Sequence, residues 1–144
     1  MSVADFLDTN VFVYLFDTRD SRRSAIAATL LAEAQRDRRA VISFQVVQET
    51  LNVLVRKLTP PMSAADARDT LREVLEPLWQ VMPSPRLYGH ALDLRERYGF
   101  SFYDSLIVAA ALEGGCTRLL SEDLQHGQEI EGLRIENPFL AATA

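Results

Sequence analysis

Asp8, Glu49, Asp104 and Asp123 lie far apart in the chain, yet each falls where a doubly wound α/β fold aims a side chain at one end of its sheet. Asp8 directly follows the apolar run 3–7 and Asp123 follows residues 118–121, so both carboxylates should emerge at the carboxyl ends of strands. Glu49 and Asp104 should approach from neighbouring helices. Carboxylates crowded in this way repel one another unless protons or cations neutralise them. Ligands that are all oxygen suit a hard divalent ion such as Mg²⁺ or Mn²⁺. The chemistry expected of such a cluster is metal-dependent hydrolysis of a phosphodiester.

Each acid taken singly has an ordinary explanation. Asp8 can cap a short helix, Asp104 stands three after Ser101 as in a capping box, Glu49 suits the start of a helix, and Asp123 suits a turn. Convergence of all four at one sheet edge favours the site. Nearby, Asn10 and Ser121 can orient ligand carboxylates through hydrogen bonds, although turn roles fit them almost as well. Glu122 competes with Asp123, but adjacent side chains of an extended chain point oppositely, and Asp123 is the favoured ligand. His126 is a candidate acid or substrate donor, against the commoner case of a solvated loop histidine. Arg56 follows Glu49 by seven positions. That puts it on a similar helix face about 10 Å along the axis, within reach of a neighbouring phosphate.

Apolar spacing and capping residues outline the elements that must hold these groups. A strand over 3–7 leads into a short helix over 11–16, and Asp20 or Ser21 caps a second helix reaching about residue 36. Residues 41–43 form a strand. Val47, Leu51, Leu54, Val55 and Leu58 then recur at helical spacing until Pro60-Pro61, which predicts a helix over 46–58 with Glu49 on its first turn. Ser63 opens a helix reaching about residue 75, followed by a strand over 78–82. Ser84-Pro85 opens a helix that should end at Gly99, and Ser101 caps the next, over about 102–113. That last helix is apolar on nearly every face and must be central and buried. Strands over 118–121 and 133–136 complete an α/β alternation, which implies a mainly parallel sheet of about five strands flanked by helices.

The chain has 144 residues, 48% of them hydrophobic, which suits one compact domain over 1–144. Its only cysteine, Cys116, cannot form an internal disulfide, and the longest apolar stretch, 106–112, is far short of the roughly 20 residues that span a bilayer. A cytoplasmic protein without a membrane anchor is expected. Fifteen Lys and Arg against 20 Asp and Glu give a net charge of -5, which argues against nucleic-acid binding through a broad positive face. Bound cations would neutralise the acidic cluster locally and let a phosphate approach. Val11, Phe12, Tyr14, Leu15 and Phe16 crowd one short segment, so either all enter the core or some cover a partner surface.

Four segments together resemble the PIN-domain ribonuclease family, particularly the VapC-type toxins of bacterial and archaeal toxin-antitoxin pairs. They are Asp8-Thr9-Asn10-Val11, Gln48-Glu49 within 44–54, Phe102-Tyr103-Asp104-Ser105-Leu106-Ile107, and Leu120-Ser121-Glu122-Asp123-Leu124. The resemblance covers nearly the whole chain. It implies a single PIN-like domain, a Mg²⁺ or Mn²⁺ site built by Asp8, Glu49, Asp104 and Asp123, cleavage of RNA, a cognate antitoxin protein and a homodimer. Many relatives carry a further acid soon after the fourth motif's aspartate, where this chain has Leu124-Gln125-His126-Gly127, so one or two metals are both compatible.

Other α/β functions fit less well. A receiver domain requires a lysine after a late strand, and no lysine follows Lys57. A dehalogenase-like phosphatase requires a second aspartate two after Asp8, where Asn10 stands. An inactive binding module conflicts with the intact acidic quartet. An RNA-processing nuclease without an antitoxin stays open.

Overall fold

The computed structural model describes residues 4–140. A six-stranded sheet runs in the order β3-β2-β1-β4-β6-β5. All neighbours pair in parallel except β5 and β6. The strands are β1 (Ala4–Leu7), β2 (Ala40–Ser43), β3 (Trp79–Val81), β4 (Cys116–Leu120), β5 (Glu129–Ile130) and β6 (Leu133–Glu136). From β1 the order proceeds outward on one side through β2 and β3 and on the other through β4 and β6. The carboxyl ends of β1 and β4 therefore flank the point where the winding reverses, the usual ligand crevice of an open α/β sheet. In β1 the consecutive residues Phe6 and Leu7 are both buried, as a central strand covered on two faces requires.

The helices are α1 (Thr9–Phe16), α2 (Ser21–Asp37), α3 (Phe44–Arg56), α4 (Ala64–Thr70), α5 (Pro85–Tyr98) and α6 (Phe102–Glu113). Side-chain oxygens of Asp20, Ser43, Ser63, Ser84 and Ser101 each accept a backbone N–H at the start of the helix that follows. Gly99 stops α5 with φ 76, a left-handed conformation that glycine adopts without strain. α6 is buried from Ser105 through Ala111 and packs on β2 and β4, so its apolar faces are covered by the sheet and by α5. No helix among the described residues is long and apolar enough to cross a membrane.

Several boundaries differ from those the sequence suggests. Val3 of the first expected strand lies outside the described residues. α3 begins at Phe44 because the Ser43 hydroxyl caps it, which moves Glu49 from the first turn to the second. The helix expected to reach residue 75 is regular only to Thr70. It widens into a π turn over Leu71–Leu75 and tightens into a 3₁₀ turn over Glu76–Leu78, where Pro77 has no N–H to continue the ladder. The sixth strand, β5, comes from a hairpin whose two loop residues, Glu131 and Gly132, both have positive φ.

The apolar crowd in α1 does not form an exposed patch. Val11 and Phe12 are fully buried, and Tyr14 and Leu15 pack against the core, with the Tyr14 ring set edge-on to Phe139 at 5.0 Å. The exposed large apolar side chains include Val55, Met82, Tyr88, Leu92 and Tyr103 instead.

Candidate active site

Asp8 stands one residue beyond β1, and its backbone N–H extends the β1–β4 ladder by donating to the Leu120 carbonyl at 3.0 Å. Its carboxylate is buried, only 6% exposed. The Thr9 backbone N–H donates to Oδ1 at 2.7 Å, so Asp8 does cap α1, and the Ser121 hydroxyl donates to Oδ2 at 2.8 Å. Burial raises the Asp8 pKa from 3.8 to about 6; the Ser121 and Thr9 hydrogen bonds oppose that rise, and the negative charges of Asp123 and Glu49 add to it. Three of the four predicted acids are thus within electrostatic reach of one another.

Glu49 is held at both oxygens. The Thr9 hydroxyl donates to Oε2 at 3.0 Å, and the Gln45 amide donates to Oε1 at 2.7 Å. The same Gln45 nitrogen also donates to the Tyr103 carbonyl at 3.2 Å, at the start of α6 and next to Asp104. In the first turn of α6, the Asp104 backbone N–H donates to the Ser101 hydroxyl at 3.1 Å. Among the described residues its carboxylate accepts no hydrogen bond, so only half of the expected capping box forms. Asp123 is exposed; its backbone N–H donates to the Ser121 hydroxyl at 3.2 Å, and the Asn10 amide lies 3.4 Å from each carboxylate oxygen.

Hydrogen bonds therefore join the four motif segments in one sequence, from Asp123 through Ser121, Asp8, Thr9, Glu49 and Gln45 to the residue preceding Asp104. The supporting residues reach across the site: Ser121 holds Asp8, and Asn10 reaches Asp123. Glu122 is engaged elsewhere, accepting from the Tyr14 hydroxyl and from Arg23 Nε, both at 2.7 Å. Tyr14 is correspondingly pushed up to about 12, by burial first and by Glu122 second. This leaves Asp123 as the acid of its pair that faces Asn10.

The arrangement is not a closed cage. Among the described residues no three His, Cys, Asp or Glu side chains are grouped closely enough to hold a metal ion. The donors still match a hard cation in kind: all are oxygens, and the buried Asp8 carboxylate ionises against both its burial and its neighbours' charge. His126 is exposed and accepts the Asn137 backbone N–H at Nδ1, 3.0 Å away, so its hydrogen bond serves the turn rather than the acids. Arg56 is exposed on the last turn of α3.

Sequence reasoning missed the parts played by Thr9 and Gln45. Gln45 lies one helical turn before Glu49, a spacing that brings side chains together, but a helix begun at residue 46 left it outside.

The PIN-domain family model matches residues 6–128. Among solved structures, the fold is similar to VapC20 from Mycobacterium tuberculosis, a sarcin-ricin loop cleaving toxin, with 22% identity and a TM-score of 0.62 over 83% of this chain and 92% of that one. It is similar to a toxin-antitoxin complex from Klebsiella pneumoniae, with 19% identity and a TM-score of 0.66 over 94% and 98% of the two chains. VapBC2 from Rickettsia felis, bound to a DNA fragment from its promoter, gives 21% identity and 0.63 over 94% and 98%. No curated protein matches the chain.

Proposed function

This chain belongs to the PIN-domain family, and from that premise we propose that it is a Mg²⁺- or Mn²⁺-dependent endoribonuclease acting as the toxin of a toxin-antitoxin pair. The observation that supports this most is the hydrogen-bonded sequence linking all four acidic segments around a buried Asp8. Asp8, Glu49 and Asp104 would hold the cation, and Asp123 would hold a second one or act through water.

A divalent cation supplies charge neutralisation and Lewis acidity toward the scissile phosphate. The chain's own residues do the rest. Ser121 and Thr9 fix the Asp8 carboxylate with both oxygens oriented, Thr9 and Gln45 fix Glu49, and Asn10 steadies Asp123. An ionised carboxylate of the site can take the proton of the attacking water. No protein nucleophile is required. The substrate is RNA, and its approach to the acidic cluster of a chain with net charge -5 depends on the cation.

The partner is a cognate antitoxin, in keeping with the Klebsiella pneumoniae complex to which the fold is similar. Its simplest means of inhibition is a basic side chain, best an arginine, placed among the four acids in place of the cation. Of the two readings left open for α1, its burial favours the core, and we assign self-association instead to the exposed Met82, Tyr88 and Leu92, of which the last two lie one turn apart on α5. Leu92→Glu should convert a dimer to a monomer by light scattering.

RNA cleavage measured in chelator and after addition of Mn²⁺ tests the central reading. Activity should vanish and return; undiminished cleavage after thorough chelation overturns it. A small open reading frame for a DNA-binding protein immediately upstream would support the toxin role over general RNA processing.

A further inference from the structure

Gln45 is 4% exposed and bridges two elements that no backbone hydrogen bond joins. Its amide nitrogen reaches Glu49 Oε1 at 2.7 Å and the Tyr103 carbonyl at 3.2 Å. Both of those partners are acceptors, so the orientation of the amide is fixed by them: the nitrogen faces Glu49 and Tyr103, and the oxygen faces elsewhere. That oxygen, Oε1, is buried and has no hydrogen-bond partner. Leaving a buried acceptor unpaired costs stability, which a residue serving only the packing of α3 would avoid by being apolar.

Among the described residues, the other two buried side-chain atoms without partners are Thr50 Oγ1, beside Glu49, and Ser105 Oγ, beside Asp104. Since Thr9 already holds the far oxygen of Glu49 at 3.0 Å, Gln45 removes the remaining rotational freedom of that carboxylate and ties it to the backbone from which Asp104 projects.

We infer that Gln45 is a positioning residue of the acidic site: its amide sets the distance between Glu49 and the start of α6, and so the fit of the site to a divalent cation. The inference rests on the metal-dependent reading above. Gln45 acts through Glu49 and the α6 backbone, without touching the reacting phosphate, so its loss should weaken cation binding and slow turnover while leaving RNA binding nearly as it was.

Gln45→Met keeps the length of the side chain and removes both donor and acceptor. Free Mn²⁺ measured by electron paramagnetic resonance during titration of the protein should show about a 10-fold weaker affinity. kcat at fixed Mn²⁺ should fall by a similar factor, with KM for RNA changed less than about two-fold. If Gln45→Met does not fold, Gln45→Asn, which stays polar but is one methylene too short to span both acceptors, should show the same losses. Parent-like Mn²⁺ affinity and kcat in the folded variant overturn the inference, as does a loss confined to the melting temperature in chelator. A parent protein that neither binds Mn²⁺ nor cleaves RNA removes the nuclease reading itself, and Gln45's part in it with it, a result distinguishable from failure of the variant alone.

Discussion

The two halves of the acidic site are built differently. Asp8 and Glu49 are restrained at both carboxylate oxygens by short hydrogen bonds, and Asp8 is buried against the β1–β4 ladder. Asp104 and Asp123 have little to hold them: one carboxylate accepts no hydrogen bond among the described residues, and the other meets the Asn10 amide only at 3.4 Å. One half is therefore restrained already, and under the proposed metal-dependent reading would be so before any cation arrives, at a cost in stability. The other half keeps the freedom to close on it. A site of this kind gains affinity from its fixed half and adjusts coordination with its loose one, and substitutions should behave differently in the two.

The sharpest contrast is between Asp8→Asn and Asp104→Asn. With both as ligands of the proposed cation, each should lower kcat by about 100-fold or more, since losing a ligand would exceed the 10- to 100-fold typical of its supporting residues. Their stabilities in chelator should diverge. Asp8 has a folded pKa of about 6 against 3.8 in the unfolded chain, so the folded state holds the proton more tightly. The associated stability is fully present below pH 4 and is lost as pH rises through 6. At pH 7 the buried charge costs about 2 to 3 kcal/mol, and Asp8→Asn should recover much of it in urea unfolding. Asp104→Asn should keep the parent's fall in stability between pH 4 and 6. Equal stabilisation by both substitutions would erase the distinction between the halves.

Smaller effects grade the supports. Ser121→Ala removes the donor to Asp8 and the acceptor of the Asp123 N–H, and should lower kcat by about 10-fold. Asn10→Ala, which gives up only the long contacts to Asp123, should cost about two- to three-fold in the same assay. An Asn10 effect larger than that of Ser121 would mean that the loose half, and not the rigid one, limits the reaction.

The placement of Asp8 after β1 and of Asp104 at the start of α6 could be read from the sequence, because Asp8 stands where a strand pattern gives way to a helical one and Asp104 follows the Ser101 cap. The restraints between the acids could not. Whether Gln45 faces Glu49 depends on a helix start that the Ser43 cap moves by one half-turn, a shift smaller than apolar spacing resolves. The hairpin that forms β5 was hidden for a related reason: Glu131-Gly132 lacks the Asn or Asp that usually marks such a turn, and only the pairing of Ile130 with Leu133 forces the positive φ at Glu131. α1 left two readings open. Its apolar density reads as surplus until Phe139, far away in the chain, is seen to receive Tyr14.

The pairing of β1 with β4 also has a consequence during synthesis of the chain. Asp8 is made well before the hydroxyl that holds it, which belongs to Ser121, 113 positions later. Until β4 has emerged, β1 has an unpaired edge on that side and Asp8 lacks both Ser121 and the Leu120 carbonyl. A growing polypeptide can thus carry Asp8, Glu49 and Asp104 without yet being able to set them in place. For the ribonuclease proposed above, catalytic competence would arrive only once β4 and Ser121 have been made, after all three of those acids.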